Sequence, residues 1–401
     1  WREMDETQSF VWKKLITGGF RVGVSQRLVV RALEQVSGIE GAVISHRLMG
    51  DWRPTAETYR RILSGDTRDA DISRPYPFYL AYPLEGEVRD LGPPEDWQAE
   101  WKWDGIRGQV IRRSGKVFIW SRGEELVTDK YPELAEAAVR LPDGAVLDGE
   151  ILPWADGGPL PFSELQRRIG RKKVGKKLLK EVPVAFLAYD LLEFEGRDIR
   201  KTPLHQRRVR LAEVLAAVPE SRLILSQVVP APTWEALEIL REEARSRRVE
   251  GFLLKRRDST YRVGRRRGGW WKWKIDPLTV DAVLIYAQRG HGRRAGLYTD
   301  YTFAVRRGEE LVPFAKAYSG LTDAEIRQVD RFIRQSTVER FGPVRSVRPA
   351  LVFEIAFEGI QPSTRHKSGV AVRFPRIHRW RHDKTVADID TLDGLRALLQ
   401  G

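Results

Sequence analysis

The sequence predicts a multidomain protein with an all-helical segment at 1–76, an α+β region at 77–275 and a small β-barrel at 276–401. Three observations support this prediction. The chain has 401 residues, which is too many for one compact core. The spacing of apolar residues changes from helical to strand-like after a polar linker. A second boundary follows at Asp276-Pro277.

Helical spacing of apolar residues characterises the first region. Ser25 is a candidate N-cap for the helix SQRLVVRALEQV, and Thr55 is one for TAETYRRIL. The stretch GDTRDADISRPYP (65–77) has the polar, proline-containing composition of a linker. We therefore expect helices up to this linker and a different architecture after it.

Short strands separated by Gly and Asp-Gly turns predict the second region. The predicted strands are WQAEWKW, GQVIRR, KVFIWSR, AVLDGEIL, VAFLAYDLLEF, GFLLKR and WWKWKI. Helices are predicted at 131–140, 203–217 and 233–247. This composition is typical of an α+β domain rich in antiparallel strands.

Roughly five strands and one helix are predicted after Asp276-Pro277. The strands are TVDAVLIYA, YTFAVRR, LVPFAKAY, LVFEIAFE and AVRFPRI, and the helix near 322–336 is capped by Thr322. Five strands with one inserted helix in about a hundred residues indicate a small closed barrel of the OB type.

Composition limits the function. A hydrophobic fraction of 42% and a charged fraction of 31% are those of a soluble globular protein. The absence of cysteine excludes disulfides and thiolate zinc sites and suits a cytoplasmic protein. A net charge of +14 favours a polyanionic partner, although arginine-rich codon usage gives the same surplus. We expect no membrane span and no signal peptide, and the start at Trp1 suggests that the natural N-terminus is missing.

Lys102 lies in Glu100-Trp-Lys-Trp-Asp-Gly-Ile-Arg107, next to an Asp-Gly turn between two strands. A lysine that attacks phosphorus must be neutral, whereas its unperturbed pKa is about 10.4. Trp101, Trp103 and Arg107 are neighbours that favour the neutral amine. A surface hairpin with a solvated lysine fits this segment equally well.

Two further segments carry charged residues on strands. Asp148 and Glu150 alternate with Leu147 and Ile151, so both carboxylates lie on one strand face. There they can bind a divalent metal or a ribose hydroxyl. An exposed polar strand edge without a ligand is the alternative. In WWKWK, the side chains of Lys272 and Lys274 share a face and suit phosphate. In a regular strand, the side chains of Glu250 and Lys255 point to opposite faces. They can share a pocket only if a β-bulge turns one of them to the other face.

The last charged segment is RFPRIHRWRHDK (373–384), which also fits a basic strip that contacts phosphates. Together with the earlier segments it resembles the ordered motif series of the ATP-dependent DNA ligases, within the covalent lysyl-nucleotidyltransferases. The matching segments are EWKWDGIR (100–107), SRG (121–123), LDGE (147–150), LAYDLL (187–192), EGFLLK (250–255), WWKWK (270–274) and RFPRIHRWRHDK. The resemblance implies a partial helical DNA-binding domain, an adenylation (nucleotidyltransferase) domain and a C-terminal OB-fold.

The same resemblance implies roles for individual residues. Lys102 becomes the nucleophile that carries AMP, and Glu100 receives the adenine amino group. Ribose and phosphate contacts are implied for Arg107 and Arg122, and contacts to ribose or metal for Glu150 and Glu250. The nucleotide phosphate is implied to contact Lys255, Arg266, Lys272 and Lys274, while Arg381 orients the pyrophosphate leaving group. Tyr189 matches the aromatic residue that stacks on adenine; Phe186 is the alternative on the opposite strand face.

The implied cofactors are ATP and Mg²⁺ or Mn²⁺, and the implied substrate is nicked duplex DNA. Overall similarity is greatest to bacterial ligases encoded beside a helicase and a nuclease, which are therefore candidate partners of a monomeric, nucleoid-associated protein. An RNA capping guanylyltransferase shares K-x-D-G-x-R and a barrel domain. The complete R-x-D-K ending and the N-terminal helices favour the ligase. A DNA-binding protein without catalysis is the alternative of a different class.

Overall fold

The computed structural model describes residues 4–16, 24, 26–39, 41–48, 53, 55–64, 72–171, 174–219 and 222–400. The chain divides into two compact units, residues 1–274 and 275–401. None of the helices in the described ranges is long and apolar enough to span a membrane.

Four helices open the first unit: α1 (Glu6–Ile16), α2 (Gln26–Ser37), α3 (Gly41–Arg47) and α4 (Ala56–Ile62). Val30, Ile44 and Ile62 form a small shared core. The predicted cap of α4 is confirmed, since the Thr55 side chain accepts the Thr58 N–H. Ser25, the predicted cap of α2, lies outside the described residues, as does most of the linker. This part of the chain is helical, as predicted.

Two sheets dominate the rest of the first unit. The strands are β1 (Tyr79–Leu80), β2 (Tyr82–Pro83), β3 (Trp97–Trp103), β4 (Ile106–Arg113), β5 (Lys116–Ser121), β6 (Ala145–Ala155), β7 (Gly158–Pro159), β8 (Val184–Phe194), β9 (Arg197–Asp198), β10 (Leu223–Leu225), β11 (Val249–Arg256), β12 (Gly264–Arg265) and β13 (Trp270–Lys274). The larger sheet has the order β10-β8-β6-β4-β5, and the smaller one has the order β2-β13-β11-β3. All seven predicted strands are present.

Helices cover the larger sheet on one face. The helices on this face are α5 (Pro132–Ala138), α6 (Phe162–Ile169) and α8 (Leu204–Ala216); α7 (Lys176–Glu181) lies between α6 and β8 in the chain, and α9 (Trp234–Glu242) packs against the smaller sheet. The helices predicted at 131–140, 203–217 and 233–247 are confirmed, with shorter ends, whereas α6 and α7 were not predicted. Side chains of α5 and α8 pack against Leu147, Ile151 and Phe186 in a fully buried core. The opposite face of this sheet is therefore left for the smaller sheet.

The motif around Lys102 crosses from one sheet to the other. β3 belongs to the smaller sheet and β4 to the larger one, so Asp104-Gly105 is not a hairpin turn. A Cβ on Gly105 would lie 2.4 Å from the Ile151 carbonyl oxygen, which explains why glycine is required at this close crossing. The surface-hairpin interpretation of this segment is therefore wrong.

The second unit is a curved, mostly antiparallel sheet with one long helix, α10 (Asp323–Ser336), and a short one, α11 (Leu392–Ala397). Its strands are β14 (Leu278–Arg289), β15 (Tyr298–Arg307), β16 (Glu310–Ala317), β17 (Thr337–Phe341), β18 (Val344–Val347), β19 (Val352–Phe357), β20 (Gly359–Pro362), β21 (Val370–Arg373) and β22 (Arg376–Trp380). Thr322 and Glu325 cap α10 reciprocally, which confirms the predicted start of this helix.

Two expectations for this unit need correction. The strand predicted at 371–377 is divided into β21 and β22, because Phe374 has a positive φ of 51° and Pro375 follows it. The barrel is also open among the described residues: no strand ladder joins β16 to β17 or β22. A single backbone hydrogen bond, from the Ile377 N–H to the Ser319 carbonyl, links that edge. The β17–β18 hairpin was not predicted.

Candidate active site

One face of the smaller sheet collects most of the predicted site residues. Leu253 on β11 pairs with Glu100 on β3 and with Lys272 on β13, so the three side chains share one face. The same face carries the alternate residues of each strand, which are Lys102, Lys255 and Lys274. We call this the charged face. The other face is aromatic: Trp101 stacks on Phe252 with ring centroids 4.4 Å apart, beside Trp271 and Trp273. The predicted alternation of lysine and tryptophan in β13 is confirmed.

A β-bulge brings Glu250 onto the charged face. The register between β11 and β3 shifts between Val249 and Phe252, and Gly251 has a φ of 121°. Glu250 consequently forms ion pairs with Lys102 and with Lys274, the latter at 3.0 Å. The β-bulge therefore places Glu250 and Lys255 on the same face, which a regular strand would not do.

Lys102 has a different environment from the one that its sequence neighbours suggested. Trp101 lies on the aromatic face, Trp103 packs against Trp154, and the Arg107 guanidinium is paired with Asp148. The Lys102 amine instead contacts the Glu250 carboxylate, and its side chain is 18% exposed. The sequence neighbours of Lys102 therefore have other partners, and the effect expected of them on its amine stays a prediction.

Lys272 lies among several other cations. Burial, followed by the positive charges of Lys102, Arg265, Lys274 and Arg122, lowers the pKa of Lys272 to about 8. This cluster of cations is only partly neutralised by Glu250, which pairs with Lys102 and Lys274. It therefore suits a phosphate-binding surface, as the sequence predicted for Lys272 and Lys274.

Glu100 and Lys255 form a buried ion pair, with the lysine Nζ 2.7 Å from Oε1 of the carboxylate. Gln98 donates to the same oxygen at 2.7 Å, and the Ser226 hydroxyl donates to Oε2 at 2.6 Å. Burial opposes the charge of Glu100, but Lys255 and Arg208 outweigh it and lower the pKa of Glu100. Burial also lowers the pKa of Lys255 despite the attraction of Glu100. Glu100 keeps an acceptor position only on Oε2, and Lys255 serves as its counter-ion.

The larger sheet contributes Arg107, Asp148 and Tyr189. Arg107 donates from Nε (3.2 Å) and one terminal nitrogen (2.7 Å) to the two oxygens of Asp148, which is fully buried. The Tyr261 hydroxyl also donates to Asp148, at 2.7 Å. Asp148 therefore holds Arg107 in place. Tyr261 and Ser226 are site residues that sequence reasoning missed, because each lies far along the chain in a loop without a motif.

Tyr189 and Phe186 are separated by the larger sheet. Tyr189 lies towards the smaller sheet, where the Lys255 amine is 4.1 Å from its ring centroid. Phe186 is fully buried in the core beneath the helices and packs over Gly149, where a Cβ would lie 2.5 Å from the phenyl ring. Of the two candidates for adenine stacking, Tyr189 lies with the other site residues and Phe186 does not.

Glu150 lies opposite Arg107 in the β4–β6 ladder. Burial raises the pKa of Glu150 to about 8, although Lys102 and Arg107 act in the opposite direction. Within the described ranges no three His, Cys, Asp or Glu side chains are grouped as a preformed metal site. Glu150 is thus a partly buried acid with a raised pKa, and Glu250 is an ion-paired carboxylate.

Three predicted arginines remain, of which Arg122 is near enough for its charge to act on Lys272 and Glu150. Arg122 and Arg266 are exposed in loops of the first unit. Arg381, in the second unit, donates to both oxygens of Asp281 (3.1 and 3.0 Å) and pairs with Asp383 at 2.7 Å. Lys384 also contacts Asp281, at 2.5 Å. The R-x-D-K ending is thus organised by an aspartate on β14.

Comparison with known proteins identifies the family. The family described as ATP dependent DNA ligase domain matches residues 84–274, and the ATP dependent DNA ligase C terminal region matches residues 294–384. A probable DNA ligase of Koribacter versatilis is 38% identical over 405 residues, which cover 95% of this chain and 70% of the relative. The chain belongs to the ATP-dependent DNA ligases. Its family uses ATP and seals nicks in DNA.

Two further comparisons are consistent with this assignment. A probable DNA ligase of Opitutus terrae is 37% identical over 451 residues, covering 96% of this chain but only 44% of the relative. A Lig E DNA ligase structure aligns with a TM-score of 0.54 at 19% identity, covering 77% of this chain and 100% of that one. At this identity the likeness supports the fold alone.

Proposed function

We propose that Lys102 is the residue of this ligase that carries AMP. Its amine attacks the α-phosphorus of ATP, forms the N–P bond, loses a proton and releases pyrophosphate. The AMP then passes to the 5′-phosphate of a nick, and the 3′-hydroxyl displaces AMP to close the strand. The observation that carries this proposal is the position of Lys102 on the charged face, where Glu250 bridges it to the phosphate-binding candidate Lys274.

Glu250 controls the availability of the Lys102 amine. Burial alone would raise the pKa of Glu250, but Lys102 and Lys274 lower it, so the group is a carboxylate at neutral pH. An amine that is paired with this carboxylate is not available to approach the α-phosphorus. Nucleotide binding therefore has to loosen this ion pair before Lys102 can act as a nucleophile. Lys274, which shares Glu250, is well placed to exchange the carboxylate for a phosphate.

Glu150 and Glu250 are the candidates for holding Mg²⁺. Magnesium is usually bound by one or two carboxylates together with water and substrate phosphates, so two separated carboxylates next to a phosphate-binding face fit this ion. When bound, the metal supplies positive charge to the phosphoryl oxygens. Glu150 contributes by giving up its proton, and Glu250 by releasing Lys102.

The nucleobase would stack on Tyr189, with its amino group directed at the remaining acceptor of Glu100. Because Glu100 remains charged, it offers only acceptors, which suits the amino group of adenine and disfavours the carbonyl of guanine. Arg107 and Arg122 would contact the ribose and phosphate, and Arg266 would approach the phosphate from its exposed loop. Arg381 would orient pyrophosphate after closure of the second unit.

Nicked duplex DNA would be bound by the basic surface, with the helices before residue 65 as part of a DNA-binding domain. A net charge of +14 makes this binding strongly dependent on salt. Association with the nucleoid follows from the same charge. A helicase and a nuclease remain candidate partners, to be tested by co-purification.

The test of the nucleophile is mass spectrometry after incubation with ATP and Mg²⁺. We expect the mass of AMP on the peptide that contains Lys102, and no adduct in Lys102→Ala, which should still bind nicked DNA. Lys177→Ala is the control, because Lys177 is a surface lysine that pairs with Glu181 outside the site, and this variant should still gain the adduct. An adduct that persists in Lys102→Ala would contradict the proposal.

A further inference from the structure

The Tyr261 hydroxyl lies at a junction of three separate parts of the first unit. Tyr261 is buried in the loop between β11 and β12. Its hydroxyl donates to Asp148 on β6 at 2.7 Å, accepts the backbone N–H of Tyr79 at 3.2 Å and accepts from Arg107 at 3.3 Å. A hydroxyl has one donor and two acceptor positions, so all three are used.

The contacts of Arg107 show what this junction achieves. Four of the five guanidinium N–H groups have partners: two bind Asp148, one binds the Tyr79 carbonyl at 2.7 Å and one binds the Tyr261 hydroxyl. One N–H therefore remains, and the side chain is 13% exposed. Arg107 is held rigidly and can present a single donor to a ligand.

Asp148 also has several hydrogen-bond donors. It accepts from Arg107 and Tyr261, and from the Tyr189 hydroxyl at 3.4 Å. Because Asp148 is fully buried, each of these donors offsets part of the cost of burying its charge. Removal of the Tyr261 hydroxyl would leave the Arg107–Asp148 pair in place but allow it to tilt.

We propose that Tyr261 is a positioning residue for nucleotide binding, which acts by fixing the Arg107 guanidinium through Asp148 and through the Tyr79 backbone. This proposal rests on the proposed function, because it requires Arg107 to contact the bound nucleotide. A guanidinium with one available N–H can make one well-directed hydrogen bond, and a small rotation is enough to lose it. Tyr261 therefore influences affinity without touching the nucleotide.

The experiment is a double-mutant cycle on the affinity for α,β-methylene-ATP, which cannot transfer AMP. We expect Tyr261→Phe to raise Kd about tenfold, as the loss of a positioned hydrogen bond to a ligand does. In an Arg107→Ala background, the same change should have almost no further effect. Additive effects of the two substitutions, or an unchanged Kd in Tyr261→Phe, would overturn the proposal.

Tyr301→Phe in the second unit is the matched control. Tyr301 is also a buried tyrosine, and its hydroxyl donates to the Tyr298 carbonyl at 2.8 Å. It should lower thermal stability comparably while leaving Kd unchanged. If Tyr261→Phe does not fold, Asp148→Asn addresses the same junction and should also raise Kd only when Arg107 is present.

Failure of this proposal can be distinguished from failure of the proposed function. AMP attachment to Lys102 is measured by mass spectrometry in the wild type and does not depend on Tyr261. An adduct at Lys102 together with additive effects on Kd would refute only the positioning role of Tyr261. If the effects of Tyr261 and Arg107 on Kd are coupled but no adduct forms at Lys102, the assignment of Lys102 as the nucleophile would be refuted instead.

Discussion

Lys102 illustrates how a single contact changes the interpretation of a residue. Its sequence neighbours suggested an amine kept neutral by aromatic rings and a cation, whereas its contact is the carboxylate of Glu250. Under the proposed function, substrate binding has to open this ion pair. Charge balance at this pair, and at Glu150 and Lys272 beside it, is what substitutions of individual residues can test.

Glu150→Gln should depress nick sealing more than ATP binding, and excess Mg²⁺ should partly rescue it. The amide keeps the shape of the side chain but removes a negative charge that a metal needs. Sealing rates and ATP affinity are measured across a Mg²⁺ series, with the exposed Glu213→Gln as the control. Equal losses in both assays, without rescue, would indicate a structural or ribose-binding role.

Lys272→Met should stabilise the ATP-free protein at pH 7 but not at pH 10.5. In the folded protein the pKa of Lys272 is about 8, below the reference value of 10.5, so between these values only the unfolded chain holds the proton. Wild-type stability therefore rises with pH through this window, and the advantage of the variant disappears there.

After allowance for solvent screening, the advantage of Lys272→Met at pH 7 is about 1 kcal/mol, or a few degrees in Tm. Thermal melting of wild type and variant at both pH values measures it. Lys177→Met, whose side chain lies on the surface, should show no such dependence. A constant difference in Tm at both pH values would contradict the assignment.

At the scale of elements, the bulge in β11 decides the composition of the site. A regular strand would place Glu250 and Lys255 on opposite faces, whereas the bulged strand places both on the charged face. Gly251 makes this possible, because its φ of 121° lies in a region that other residues rarely adopt. The backbone of one residue therefore supplies the partner of Lys102.

Gly251→Ala should destabilise the protein by about 1–3 kcal/mol, because the alanine would be strained. If the bulge straightens, Glu250 leaves Lys102 and self-adenylation should fall at least tenfold. Gly115→Ala is the control: Gly115 also has a positive φ, of 73°, but lies in the β4–β5 turn. It should lower Tm and leave adenylation within twofold. Similar adenylation in the two variants would refute the role of the bulge.

At the scale of the whole molecule, the motifs are divided between two units. Lys102 and its partners belong to residues 1–274, whereas Arg381, Asp383 and Lys384 belong to residues 275–401. Within the second unit Asp281 binds both Arg381 and Lys384, so the R-x-D-K segment is already ordered before it meets a nucleotide.

Arg381→Ala should slow self-adenylation severely but spare the sealing of pre-adenylated nicks, because pyrophosphate has left by that stage. Adduct formation without DNA and sealing of pre-adenylated DNA are measured separately. Arg379→Ala is the control, since Arg379 lies in the same segment and pairs with Glu354. A normal adenylation rate together with weaker, less salt-dependent nick binding would show that the segment is a basic strip for duplex phosphates.

The sequence by itself determined the seven strands that were predicted in the first unit, and the alternation that places Lys272 and Lys274 together. These features depend on local spacing of apolar residues, which is present in the chain before it folds. The motif series also identified Lys102 as the candidate nucleophile. Short helices such as α6 and the β17–β18 hairpin escaped prediction, because brief amphipathic segments resemble loops.

Only the tertiary structure decided the partners of these residues. The crossing at Asp104-Gly105 puts Lys102 and Arg107 on different sheets, the bulge turns Glu250 towards Lys102, and a loop tyrosine far along the chain completes the Arg107 junction. Each of these contacts joins residues that are distant in sequence or depends on a local break in strand regularity. Contacts between distant residues and breaks in strand regularity do not produce a periodic sequence pattern. The ion pairs and protonation states of the site are therefore set only by the folded structure.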